Sequence, residues 1–145
     1  MNENNQNDIV QEINFIHIPV SNIDEAINWY VSFLGCIKPH KVHDKLASVN
    51  LPSGPTLLLV KSDHEIRARF VHEGRNYSII GLLTKDIEKA YSVLKDNGVI
   101  VENIRDEGLV GKFFDFYDLY GNMFTIWGCS TEDYNDSLNK VGAII

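Results

Sequence analysis

The residue with the clearest chemical potential is His17, in the stretch FIHIPVSN that runs from Phe15 to Asn22. The stretch is typical of a buried strand that leads into a helix cap. An imidazole in such a strand can bind a metal, act as an acid or base near neutral pH, or pack as a core residue. All three roles stay open until the elements around His17 are placed.

Two other charged segments could contact a ligand. The stretch GKFFDFYD places Lys112 and Asp115 near aromatic residues, so Lys112 either contacts an anionic substrate or ends a solvated strand. The stretch RDEG at 105–108 is interpreted first as a turn and only second as a site. Common nucleotide-binding, zincin and hydrolase motifs do not occur in the sequence.

Length and composition favour one soluble, cytoplasmic domain. The chain has 145 residues, of which 44% are apolar, and its apolar runs are too short to cross a membrane. With 13 basic and 20 acidic residues the formal charge is −7, which weighs against nucleic-acid binding. No secretion signal is present, and Cys36 and Cys129 are predicted to be free thiols.

Helical periodicity occurs in two segments, and strands are predicted around them. The first helix follows Asn22, which forms a capping-box pattern with Glu25, and Gly35 is a natural stop. The second helix follows Asp86 and ends at the NG of 97–98. Strands are predicted at 13–20, 46–54, 56–60, 77–84 and 99–104, and on both sides of the DLYG turn at 118–121.

This order of elements is repeated. Residues 20–26 align with 84–90 at an offset of 64, and residues 53–60 align with 120–127 at an offset of 67. A single half would leave one face of its sheet uncovered. We therefore predict an α+β fold of two βαβββ repeats whose sheets join and enclose a cavity.

The predicted boundaries follow from the repeat. The first repeat spans 13–60, a connection with at most one short strand spans 61–76, and the second repeat spans 77–128. A polar tail at 1–12 and a second tail at 129–145 flank this single domain.

Three motifs resemble the vicinal oxygen chelate superfamily, which includes glyoxalase I, extradiol dioxygenases, fosfomycin-resistance thiol transferases and bleomycin-resistance binding proteins. The motifs are HIPVSNIDEAINWYVSFLG, TKDIEKAYSVLKDNGV and FYDLYGNMFTIW. The last is similar to the family's Asp-Pro-Asp-Gly-Asn turn, with Leu119 and Tyr120 in place of its Pro and second Asp. The resemblance implies the glyoxalase fold over 13–128, and a homodimer.

The resemblance also indicates where a metal would bind. In metal-using members, four strand residues that are usually His or Glu point into the cavity. The matching positions in this chain are Phe15, Leu58, Ile79 and Thr125, which map onto each other through the repeat offsets. Phe, Leu and Ile have no lone pair to give, and a neutral Thr is a weak ligand. No metal or other cofactor is therefore expected.

Period-2 alternation then defines the predicted ligand face. His17 shares a face with Phe15, and its repeat counterpart Gly81 would leave room opposite it. Met123 and Trp127 share the face of Thr125 and would offer an apolar wall. The predicted ligand-binding residues are Phe15, His17, Leu58, Ile79, Gly81, Met123, Thr125 and Trp127.

Three functions follow as hypotheses. The first is metal-independent binding of a small, partly apolar molecule. The second is a divalent-metal-dependent lyase, thiol transferase or dioxygenase of the glyoxalase type. The third is a metal-free enzyme that uses His17, the best catalytic candidate, as an acid or base.

Overall fold

The computed structural model describes residues 9–128, which fall into two compact units with the boundary along the chain between Lys61 and Ser62. The predicted tail at 129–145, with Cys129, and the first eight residues of the N-terminal tail lie outside the described residues. Within the described part of the chain, neither helix is long and apolar enough to span a membrane.

The first unit is a four-stranded sheet with one helix. Its elements are β1 (Phe15–Val20), α1 (Ile23–Ser32), β2 (Ile37–His43), β3 (Leu46–Asn50) and β4 (Thr56–Lys61). The strand order is β1-β4-β3-β2, with β1 parallel to β4 and the other pairs antiparallel. A helix must therefore connect β1 to the rest of the sheet, and α1 does so.

The helix α1 begins where the sequence predicts. The side chain of Asn22 accepts a hydrogen bond of 2.9 Å from the backbone N–H of Glu25, as a helix cap requires. Ile23, Ala26 and Tyr30 are buried on the helix, and α1 contacts β3 and β4. The apolar face of the helix and one face of the sheet thus form the core of this unit.

The second unit repeats this arrangement after an additional hairpin. Its elements are β5 (Arg69–His72), β6 (Arg75–Ser78), β7 (Ile80–Thr84), α2 (Ile87–Asp96), β8 (Ile100–Val101), β9 (Arg105–Asp106), a short 3-10 helix (Gly108–Val110), β10 (Lys112–Tyr117) and β11 (Met123–Gly128). The strand order is β7-β11-β10-β8, with β9 also paired to β10, and β5 and β6 pair with each other.

The two sheets have equivalent topology. In each unit the strand before the helix lies parallel to the last strand, which lies antiparallel to the strand before it. The predicted α+β fold of two βαβββ repeats is therefore confirmed. The predicted junction of the two sheets around a cavity stays a prediction.

Several predicted strands need correction. The connection at 61–76 holds β5 and the start of β6 rather than at most one short strand, because Gly74 at φ 76 allows a tight turn between them. The predicted strand at 77–84 is broken at Ile79, and the one at 99–104 ends early, before β9 begins. The sequence also gave no sign of β2, whose residues are all exposed.

A turn with a buried residue at each end, Asp118 and Asn122, joins β10 to β11. Asp118 accepts hydrogen bonds from the backbone N–H groups of Tyr120 and Asn122, and from the Asn122 side chain. The Asn122 side chain in turn accepts a 2.7 Å bond from the backbone N–H of Ala68. Asp118 and Asn122, rather than the two replaced positions between them, therefore hold the turn and tie it to the segment before β5.

We expect Asn122→Ala to lower the free energy of unfolding by about 2 to 3 kcal/mol, because it removes the hydrogen bonds that the buried Asn122 side chain makes with Asp118 and Ala68. Leu119→Ala is the matched control in the same turn, since Leu119 is 54% exposed. Urea denaturation monitored by circular dichroism measures both variants. Equal stability of the two variants would contradict this role for Asn122.

Cys36, which follows α1, should react slowly with thiol reagents. Burial raises the pKa of its thiol from 9.0 to about 11, so at pH 8 its thiolate fraction is about a hundredfold below that of an ordinary thiol. In a Cys129→Ser background, labelling with a disulfide reagent should be slow in buffer and fast in urea.

The same shift makes stability depend on pH in a fixed direction. The folded pKa lies above the unfolded value, so the contribution of Cys36 is present below about pH 9 and is lost as the pH rises through about 11. Cys36→Ala should weaken this alkaline loss. An unchanged alkaline loss, or equal labelling rates in buffer and urea, would contradict the burial argument.

Candidate functional site

His17 lies on the face of the first sheet that is opposite the helix. Ile18 and Val20 are buried beneath α1, whereas His17 and Phe15 are exposed, with ring centroids 5.0 Å apart at an edge-to-face angle. Leu58 is the partner of His17 on β4. The alternation predicted for β1 is therefore present, and the imidazole is accessible rather than a core residue.

The four family metal positions fall into two pairs, one in each unit. Phe15 and Leu58 share the exposed face of the first sheet, two residues apart in register, because Phe15 pairs with Thr56. Ile79 is 64% exposed at the break before β7, and Thr125 pairs with Gly81 on β7. The side chains of Phe, Leu and Ile offer no donor atom, so these positions do not fit a divalent ion.

The described residues also lack an alternative metal cluster. Among residues 9–128, no three His, Cys, Asp or Glu side chains are grouped so that they could hold an ion.

The most developed polar site of the second sheet is centred on Asp115. This carboxylate is only 2% exposed, on the strand β10. Its Oδ2 accepts a bond of 2.7 Å from Nη1 of Arg105, and its Oδ1 accepts one of 2.6 Å from the hydroxyl of Thr125. The Thr125 oxygen lies a further 2.6 Å from the hydroxyl of Ser78. We call these four residues, Ser78, Thr125, Asp115 and Arg105, the polar chain.

The topology explains how the polar chain comes together. Asp115 and Thr125 are directly opposite on β10 and β11, and Arg105 on β9 reaches Asp115 from the neighbouring edge. Ser78, at the end of β6, approaches Thr125 from the other side. A buried carboxylate needs such partners, because burying an unpaired charge costs several kcal/mol.

The equivalent row of the first sheet has different chemistry. There His17, Leu58 and Ser48 occupy the places that Gly81, Thr125 and Asp115 occupy in the second sheet. The imidazole of one unit thus corresponds to an open glycine in the other, and a buried carboxylate corresponds to a serine. The two repeats share a backbone plan but present distinct surfaces.

An indole group borders the polar chain. Trp127 is two residues from Thr125 on the same face of β11, and its Nε1 donates a 2.7 Å hydrogen bond to the carbonyl of Val110. Gly111 permits this approach, because a Cβ there would lie 2.5 Å from Nε1. Met123, predicted to join this wall, is only 2% exposed, so little of its side chain is accessible.

The structure specifies the contacts of the charged residues at 105, 112 and 115. Lys112 alternates to the helix side of β10, where its Nζ lies 3.4 Å from Glu88, so it does not share a face with Asp115. Arg105, interpreted first as a turn residue, is the partner of that carboxylate.

Arg105, Asp115 and Ser78 were not among the predicted site residues. A single acidic residue within the aromatic run FFDFY was the available signal for Asp115. Its partners lie 10 residues away in each direction along the chain, and no local pattern links them to it.

The electrostatics of this face extend to Tyr117. Burial raises the pKa of the Tyr117 phenol, and the hydrogen bond that it donates to Glu102 adds to this effect. The guanidinium of Arg69 lies 5.9 Å from the centre of the Tyr117 ring. Tyr117 is therefore neutral at physiological pH and serves as a donor and an aromatic surface.

Comparison with protein families gives a match over most of the chain. The family model described as Glyoxalase/Bleomycin resistance protein/Dioxygenase superfamily matches residues 12–126. No match is found among curated proteins.

Several solved structures have a similar fold, and the structural alignment covers nearly the whole of each of their chains. A member of this superfamily from Sphaerobacter thermophilus DSM 20745 is 22% identical, with a TM-score of 0.66 over 83% of this chain and 99% of its own. The antibiotic binding protein TnmS3 from Streptomyces sp. CB03234 is 21% identical, with a TM-score of 0.63 over 84% and 98%. The fosfomycin resistance protein FosX from Listeria monocytogenes is 15% identical, with a TM-score of 0.68 over 86% and 98%. At sequence identities this low, the structural similarity shows a common fold and nothing more.

We expect Arg105→Met to lower the free energy of unfolding by about 2 to 3 kcal/mol, because it leaves the Asp115 carboxylate buried without its cation. The double variant with Asp115→Asn should recover part of this loss, since an amide carries no charge. Arg75→Met, at an exposed position, is the control. Additive effects in urea denaturation would contradict the coupling of Arg105 to Asp115.

Proposed function

The chain belongs to the Glyoxalase/Bleomycin resistance protein/Dioxygenase superfamily, and on this premise we propose that it binds a small, partly apolar molecule without a metal ion. The observation that carries the proposal is the set of side chains at the four family metal positions. Three are hydrocarbon, and the fourth, Thr125, already gives its hydroxyl hydrogen to Asp115. A face without metal ligands can bind molecules but has no Lewis acid of its own.

The composition of the two sheet faces supports an apolar ligand. Phe15 and Leu83 are 47% and 45% exposed, and Trp127 is partly exposed beside the polar chain. Ligand sites in proteins combine such apolar surface with a few fixed polar groups. TnmS3, a solved structure with this fold, is an antibiotic binding protein, which is an example of a binding role on the same scaffold.

The proposal includes an assembly and a location. We propose a homodimer, as the family resemblance implies, and a location in the cytoplasm. Sedimentation analysis at several protein concentrations tests the dimer.

We expect metal removal to leave ligand binding unchanged. Protein purified without chelator should contain no stoichiometric divalent ion by mass spectrometry. A panel of aromatic antibiotics should include a compound that changes the fluorescence of Trp127 in a saturable way, with the same Kd before and after EDTA. Trp127→Phe should remove most of the signal, whereas His64→Gln, in an exposed loop, should not.

The competing functions give different results in the same experiments. A stoichiometric metal whose removal abolishes binding would support the metal-dependent lyase, transferase or dioxygenase. A metal-free enzyme would show turnover of a bound compound, and His17→Gln would then lower kcat far more than it weakens binding. Equal losses would indicate a binding role for His17.

A further inference from the structure

We propose that the second sheet selects ligands that carry a hydrogen-bond donor, and that the hydroxyl of Ser78 beside Gly81 receives it. This inference rests on the proposed binding function and adds the polar chemistry of the ligand. It depends on the direction of the hydrogen bonds along the polar chain, which the chemistry of its members determines.

The Asp115 carboxylate determines which group donates in each hydrogen bond of the polar chain. An ionised carboxylate has only acceptors, so Thr125 must donate its single hydroxyl hydrogen to Asp115 across the 2.6 Å contact. Thr125 then has no hydrogen left for Ser78. The 2.6 Å contact between the two hydroxyls therefore requires Ser78 to donate. Ser78 is left with lone pairs and no free hydrogen.

The guanidinium of Arg105 maintains this direction. Its Nη1 donates to Oδ2 of Asp115 across 2.7 Å, so this oxygen is held as an acceptor and the carboxyl group is paired with a cation. The Arg105–Asp115 ion pair thus orients the hydroxyl of Ser78 through two successive hydrogen bonds, by way of Thr125.

Gly81 provides the space in which a ligand group can approach. It pairs with Thr125 across β7 and β11, so a side chain at this position would stand next to the polar chain. A Cβ built on Gly81 would meet no atom within 4 Å, and the residue is exposed. Ser78 itself is partly exposed. Leu83 and Trp127, the next residues on the same face, pair with each other and supply apolar surface.

These features favour one chemical class. A flat or apolar body can rest on Leu83 and Trp127 while an O–H or N–H group donates to Ser78. A ligand that only accepts, such as a carboxylate, could be bound at this hydroxyl only if Ser78 gave up its bond to Thr125. That exchange gains no hydrogen bond, so such ligands are disfavoured.

Three matched probes test the inference by isothermal titration calorimetry: 2-naphthol, which has a donor, and 2-methoxynaphthalene and 2-naphthoate, which do not. We expect 2-naphthol to bind at least tenfold more tightly than either of the others, since one hydrogen bond is worth about a tenfold change. Ser78→Ala should remove this preference while retaining weak binding of the ring. Ser92→Ala, on the exposed side of α2, is the control and should retain it.

Gly81→Val tests the location. It fills open space at a position without positive φ, so thermal unfolding should be unchanged while all three probes lose affinity. Equal affinities of 2-naphthol and 2-methoxynaphthalene, or a preference that survives Ser78→Ala, would overturn the inference but leave the binding function intact. Absence of binding by every probe would also overturn the inference, whereas the binding function would be rejected only if the antibiotic panel failed as well.

Discussion

A buried carboxylate must be neutralised and hydrogen-bonded, and in this protein Asp115 sets that requirement for the second unit. Its two oxygens determine where an arginine and a threonine must lie, and the threonine determines where a serine can lie. Four segments that are separate in sequence, at β6, β9, β10 and β11, are thereby held together by one acid. The energetic value of the cluster is modest, since desolvation offsets much of the attraction, but its geometric specificity is high.

The two repeats carry different side chains at equivalent positions. In both units a row of three paired residues crosses three neighbouring strands. The strands are β1, β4 and β3 in the first unit and β7, β11 and β10 in the second, and the register is equivalent. In the first unit the row has an exposed imidazole, an aliphatic chain and a hydroxyl. In the second it has a glycine, a hydroxyl and a carboxylate. The backbone therefore fixes the position of each side chain, and residue type alone decides which unit carries the buried carboxylate and which carries the exposed His17.

The sequence predicts those parts of the fold that local chemistry controls. The caps at Asn22 and Asp86 were predictable because a side chain bonds a backbone group three residues later, within the window that a periodic pattern covers. The strand β2 was not, because IKPHKVH is exposed along its whole length and has no alternation to detect. Likewise, β5 and β6 pair as an exposed hairpin whose polar residues resemble a loop.

The candidate site was likewise predictable from the sequence only where local patterns determine it. The faces of the site followed from period-2 alternation. It puts His17 and Ile18 on different faces of β1, and Thr125 and Ile126 on different faces of β11. The contact between Arg105 and Asp115 depends instead on the register of the short strand β9 against β10, and a shift of one residue would turn the arginine to the other face. No composition or spacing rule fixes that register, so the partner of the acid became evident only in the folded chain.

The polar chain also bears on why threonine at the fourth family metal position differs from the glutamate or histidine of metal-using members. A carboxylate or imidazole at Thr125 could turn its lone pairs toward an ion. Here the Thr125 hydroxyl donates to Asp115 and accepts from Ser78, while the positive charge beside the acid comes from Arg105. A divalent ion bound to Asp115 would have to displace that guanidinium from a buried contact of 2.7 Å and would gain only one carboxylate in exchange. The charge of Asp115 is therefore balanced within the protein, and the ligand that we propose brings a hydrogen to donate rather than a charge to neutralise.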